Sequence, residues 1–244
     1  MKIVFTPDWF LNNDLFIEII SFMVLFLFFL LSVKCYKLNK KKSIIYLGIG
    51  FLLIAVGELS TILTKLILYY DIGITKEIGR IIIDSQIVKT VDIFYYTGFF
   101  FNKFLTLLGL YVIYKIPSSK KLTAEFFLII YLLFITAFLS HTFRQLYNLT
   151  ALIILILIIR NYYKIYLKNK PKNTKILIAA FVLLSISQAI FIFSNLNYAY
   201  IIAQNLQLVS YITLLFLIIK ILEHGKEKKP NRHTSRHAKN YSGK

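Results

Sequence analysis

The feature that most constrains this chain is the run from Ser43 to Tyr70, in which Glu58 and Lys65 are the only charged residues. A helix rises ~1.5 Å per residue, so about twenty apolar residues suffice to cross a ~30 Å hydrocarbon layer. Windows of this kind fall at 15–33, 44–69, 93–116, 122–139, 146–166, 176–195 and 199–222, the fourth being the shortest. Their apolar residues run on without the alternation of barrel strands, which favours helices, and lipid tolerates no other open spanning structure. Only 16% of residues are charged, where a soluble domain carries about 25%. The expected fold is all-α, a polytopic membrane helix bundle of seven transmembrane helices.

Lysine placement orients that bundle. One lysine precedes the first window, set against Asp8 and Asp14, while KCYKLNKKK follows it with five. The N-terminus is therefore expected outside and the C-terminus in the cytoplasm, as a multi-pass protein of the cell membrane. Seven crossings then collect 22 of the 29 basic residues on the cytoplasmic side. That bias accounts for most of the +18 net charge, so no nucleic-acid partner is implied. Tyrosines at window ends, such as Tyr69, Tyr70, Tyr162, Tyr163 and Tyr198, fit interfacial aromatic belts. The organisation reads as an extracellular N-terminus over 1–14, a transmembrane domain over 15–222, and a disordered basic cytoplasmic tail over 223–244. The bilayer is the main partner, with anionic lipid at the cytoplasmic face.

An offset of 130 positions aligns Lys34–Leu66 with Lys164–Leu196 and matches Lys34, Tyr36, Asn39, Lys40, Lys42, Leu47, Phe51, Leu53, Ile62 and Leu66 identically. Glu58 then falls opposite Gln188. YVIYKI at the end of the third window resembles FLIIKI in the seventh. A 3+1+3 parallel internal repeat is expected, a recurrent transporter design. The layout is similar to sugar transporters of the SWEET type, which also arrange seven helices as three, one and three. Those transporters bend at intramembrane prolines, whereas Pro7, Pro117, Pro171 and Pro230 here all lie in loops or tails. Gly48, Gly50, Gly57, Gly98 and Gly109 fall in the first half, as places where a helix could break or rock.

Charges inside the windows mark the candidate site, because such residues are costly in lipid and generally face a partner or a ligand. Glu58 and Lys103 lie at similar depth on neighbouring spans and could pair, either as a working site or as an ion pair that only fixes register. Thr61, Gln188, Gln204 and Gln207 are expected to join them as an intramembrane polar site. Gln204, Gln207 and Tyr211 share one helical face. The competing reading makes these polar groups interhelical glue. Lys65 is expected to snorkel outward, with membership of the same site as the alternative. His141 and Arg144 fall at a short outer turn.

The segment 71–92 carries Ile74, Ile78, Ile81 and Ile82 at helical spacing among charges, and reads as an outer amphipathic loop. Arg80 and Asp84 are its candidate contact residues. Cys35 cannot form an intrachain disulfide, since it is the sole cysteine. His233 and His237 lack the ligand company of a metal site, so no metal and no cofactor is expected. H-E-x-x-H, C-x-x-C and G-x-S-x-G are absent. The chain is expected to be non-enzymatic, receptor-like or accessory, signalling through a membrane or cytoplasmic protein partner. The alternative is a transporter or channel for a small polar or ionic solute.

Overall fold

A computed structural model describes residues 10–70, 90–116, 124–140, 142–170, 172–193 and 197–227. These residues form seven helices: α1 (Leu11–Asn39), α2 (Lys42–Tyr70), α3 (Thr90–Lys115), α4 (Ala124–Leu139), α5 (Arg144–Asn169), α6 (Lys172–Ile192) and α7 (Asn197–Glu227). Six are long and apolar enough to cross a membrane. The exception is α4, whose 16 residues extend only ~24 Å. The apolar windows thus located every helix among the described residues, and the boundaries moved with end chemistry. Because α7 runs on to Glu227, five residues expected in the tail are helical. α6 ends at Ile192, three residues before the window does. The outer segment around Arg80 and Asp84, His141, and the tail from 228 onward lie outside the described residues.

Contacts run α1–α2–α3–α5–α6–α7 and close from α7 back to α1, while α4 packs on the outside of α3 and α5. α2 against α3 is the most extensive pairing, and the glycines explain it. A Cβ on Gly109 would sit 2.5 Å from the carbonyl oxygen of Gly50, and one on Gly50 would sit 2.9 Å from the carbonyl oxygen of Gly109. One on Gly57 would lie 3.0 Å from the Asn102 carbonyl. Small residues let two backbones touch, which is how membrane helices gain dispersion energy where lipid offers no hydrophobic drive. None of the described glycines has a positive φ, and each lies within a continuous helix. They are close-packing positions, which replaces their expected role as breaks in the helix.

The lysine-rich ends of α1 and α5 share a turn. α1 and α5 each stop at an Asn-Lys pair, with Lys40 at φ 55° and Lys170 at φ 45°. The Lys40 amide donates to the Tyr36 carbonyl at 2.8 Å, and the Lys170 amide to the Tyr166 carbonyl at 2.7 Å. A left-handed residue after the last helical turn satisfies carbonyls the helix leaves open. Glycine is the usual occupant, so lysine twice at this 130-residue offset is distinctive.

The bundle centre is aromatic. Phe51 of α2 stacks on Phe181 of α6 with ring centroids 6.3 Å apart and planes 11° off parallel. Phe28 of α1 meets Phe51 edge-on at 4.7 Å, and Tyr162 of α5 stacks on Phe181 at 5.9 Å. Phe51 and Phe181 are fully buried and are also 130 positions apart.

Candidate functional site

Asp14 and Glu18 are four residues apart on α1, and so on one face. Each is buried. Lys65, seven residues beyond Glu58 on the same face of α2, is their partner. Its Nζ donates to Asp14 Oδ2 at 2.6 Å and to Glu18 Oε1 at 2.5 Å. Tyr200 of α7 donates its hydroxyl hydrogen to Asp14 Oδ1 at 3.0 Å, and Gln204, one turn on, stands beside Glu18. Lys65 is only 2% exposed. The expected snorkelling is overturned, because two carboxylates in reach hold the ammonium better than a stretched stem reaching for the headgroups.

Glu58 lies two turns further along α2, or ~10 Å, toward the bundle centre. Gln207 donates Nε2 to Glu58 Oε1 at 3.2 Å and to the Tyr211 hydroxyl oxygen at 2.9 Å. Tyr147 of α5 and Tyr211 both lie within electrostatic range of the Glu58 carboxylate, and Asp14, Glu18 and Lys65 are close enough to act on it. One polar layer therefore runs from the Asp14 end of α1, the Lys65 end of α2 and the Tyr200 end of α7 into the middle of the bundle. Among the described residues it brings together the carboxyl groups of Asp14, Glu18 and Glu58 with the ammonium of Lys65.

The polar residues read from the sequence divide between two places. Glu58, Thr61, Gln204 and Gln207 gather in this layer, and Gln188 is buried on α6 two turns beyond Phe181, as Glu58 is two turns beyond Phe51. Lys103 is engaged elsewhere, donating to the carbonyl of Ser140 at 3.2 Å with its Nζ 6.0 Å from the centre of the Tyr147 ring. Ser140 follows the last turn of α4, so Lys103 meets the carbonyl end of a short helix, where a cation is favoured. Glu58 and Lys103 thus have different hydrogen-bond partners, Gln207 and the Ser140 carbonyl, although their depths match and Tyr147 lies beside both.

Asp14, Glu18 and Tyr200 are the residues sequence reasoning missed. The signal was present: two acids spaced by four, the second inside the first apolar window. Asp14 entered the reading only as an orientation cue, and Glu18 was absorbed into the apolar run.

The glue reading describes other groups well. Ser187 Oγ donates to the Ala203 carbonyl at 2.8 Å, and Ser210 Oγ to the Ala180 carbonyl at 2.8 Å. These two bonds join α6 to α7 and are worth about 0.6 kcal/mol each by analogy with other membrane helices. Glu18 Oε2, Thr61 Oγ1 and Gln188 Oε1 are buried without a hydrogen-bond partner. No protein family, curated protein or solved structure shows a significant match to this chain.

Proposed function

We propose that this multi-pass helical membrane protein is non-enzymatic and receptor-like or partner-binding, with the polar layer of α1, α2 and α7 setting a conformation that is read at the lysine-rich end. The observation that carries the reading is Lys65, whose ammonium binds Asp14 and Glu18 of α1 while Tyr200 ties Asp14 to α7. Such a network has few intermediate states. Removing a partner leaves a buried charge uncompensated, so the three helix ends hold together or separate as a unit. The lysine-rich end faces the cytoplasm in this reading, with the N-terminus outside, in the cell membrane. Its exposed lysines, among them Lys37, Lys40, Lys41, Lys168, Lys170 and Lys175, would sit against anionic headgroups and an acidic partner surface.

A second reading, a transporter for a small polar or ionic solute, draws on a specific observation. The Lys40 and Lys170 turns lie 130 positions apart, as do the two rings of the Phe51–Phe181 stack, which supports a 3+1+3 repeat of the kind that rocks in alternating access. Flux separates the two. Protein reconstituted in vesicles is expected to pass potassium, chloride and small amines no faster than empty vesicles. Uptake that disappears in Glu58→Gln would replace the receptor-like reading with the transporter.

A further inference from the structure

Two opposite sides of the bundle are apolar over different lengths. In the ring of contacts, the edge between α3 and α5, where α4 packs, lies across from the edge between α7 and α1. α1 turns Phe16, Ile19, Met23, Phe26 and Leu30 outward. This stripe runs from exposed Asn13 to exposed Lys34, ~31 Å along the helix, which matches a ~30 Å hydrocarbon layer. α5 turns Leu149, Ile153 and Ile156 outward, but exposed Gln145 and Arg160 bracket that stripe and stand only ~22 Å apart. α4 beside it buries Leu133 and Ala137, turns Phe127, Tyr131, Phe134 and Phe138 outward, and is ~24 Å long.

Chemistry fixes both ends of the short stripe. Exposed Tyr163 and Lys164 follow Arg160, and these are residue types of the headgroup level, so Arg160 is not a lone charge drawn out of hydrocarbon by its stem. At the other end, Phe143 precedes α5 and has no polar side chain to cap it. The first amides of α5 therefore call for water, which lipid tails do not supply. Lys103 marks the same step from α3. It lies ~20 Å along that helix from Thr90, yet its Nζ reaches the Ser140 carbonyl just beyond α4, so the α4–α5 turn is set well inside the Thr90 end of α3. An apolar face shorter than the bilayer is met by thinning of the bilayer, by snorkelling or by association. Tilt shortens a long stripe and cannot lengthen a short one, so the deficit stays on the α4–α5 side. We propose that the α4–α5 face thins the bilayer beside it and gathers phospholipids of short acyl chain, while the α1 face sits in bilayer of ordinary thickness.

The test reads which lipids touch each face. The sole native tryptophan is removed as Trp9→Phe, and one tryptophan is placed on the short stripe as Ile153→Trp or on the long one as Met23→Trp, both at exposed positions. Each full-length protein is reconstituted in mixtures of plain dioleoyl phosphatidylcholine with brominated dimyristoleoyl or brominated dioleoyl phosphatidylcholine, and fluorescence quenching gives the relative binding of the two chain lengths. Ile153→Trp should favour the shorter lipid at least two-fold, and Met23→Trp should not. Adding Arg160→Leu to Ile153→Trp extends the stripe to Lys164, ~28 Å from Gln145, and should move its preference to the dioleoyl lipid; Arg160 is exposed, so the change leaves the core intact. The same chain preference at both positions, or a preference that Arg160→Leu leaves unchanged, would overturn the proposal. Absence of quenching at Ile153→Trp by either lipid would overturn it as well, since a second copy of the chain would then cover the face.

Discussion

Replacing Lys65 with methionine keeps the length of the stem and deletes the charge that Asp14 and Glu18 share. Lys65 is 2% exposed, and its two partners are 0% and 7% exposed, so water cannot take over the lost contacts. Two charge-assisted hydrogen bonds disappear, each worth about 1.5–3 kcal/mol, and breaking a buried pair costs about 3–5 kcal/mol overall. The expected loss for Lys65→Met is therefore about 4 kcal/mol, read as the shift in reversible unfolding followed by helical circular dichroism in mixed micelles. The triple variant Lys65→Met, Asp14→Asn, Glu18→Leu removes the charges together and should recover to within about 2 kcal/mol of the parent, because buried ionic groups replaced as a set are often neutral in their effect. A single-variant loss below about 1 kcal/mol would refute the reasoning, since it would mean that the ammonium and the carboxylates are not holding one another.

Other perturbations probe the remaining contacts. Gly109→Ala puts a methyl 2.5 Å from the Gly50 carbonyl oxygen and should cost about 1–3 kcal/mol in the same unfolding assay, because α2 and α3 must part to admit it. Lys40→Gly and Lys170→Gly should each stabilise by about 1 kcal/mol and by similar amounts, as glycine has no Cβ to strain in the left-handed region. Lys103→Met combined with Glu58→Gln should depart from additivity by no more than about 1 kcal/mol, since their hydrogen-bond partners differ and Tyr147 is the neighbour that both face. Tyr200→Phe should lose about 1 kcal/mol, the worth of its hydrogen bond to Asp14.

Helix identity was legible because lipid leaves the chain so few options: each apolar window of the sequence became a helix, the seven lying in the predicted order. What continuous apolar runs could not reveal was neighbourhood. Which face of α1 meets α2 and α7 is decided by small-residue contacts and by Lys65 reaching Asp14 and Glu18, and none of these has a signature in hydropathy. Glu58 was legible as a buried charge, but the guess that Lys103 would answer it used depth alone. Depth is shared by every helix in a bundle. α3 turns its lysine toward the end of α4, and only the packing of the short fourth helix reveals that. The turns at Lys40 and Lys170 were read from the sequence as matching lysines, while their shared left-handed backbone required coordinates.

The central claim is that the polar layer governs the far end of the bundle, and the sole cysteine reports on it. Cys35 is fully buried, with its Sγ 3.9 Å from the Ile218 carbonyl of α7, and it stands ~30 Å along α1 from Asp14. Its thiol can meet a reagent only if α1 and α7 separate there. The decisive measurement is the rate of Cys35 alkylation by a water-soluble maleimide in nanodiscs, under conditions where circular dichroism finds every variant folded. The account predicts a rate at least ten-fold faster in Lys65→Met than in the parent, with Lys103→Met unchanged. Equal rates in the parent and Lys65→Met would contradict it.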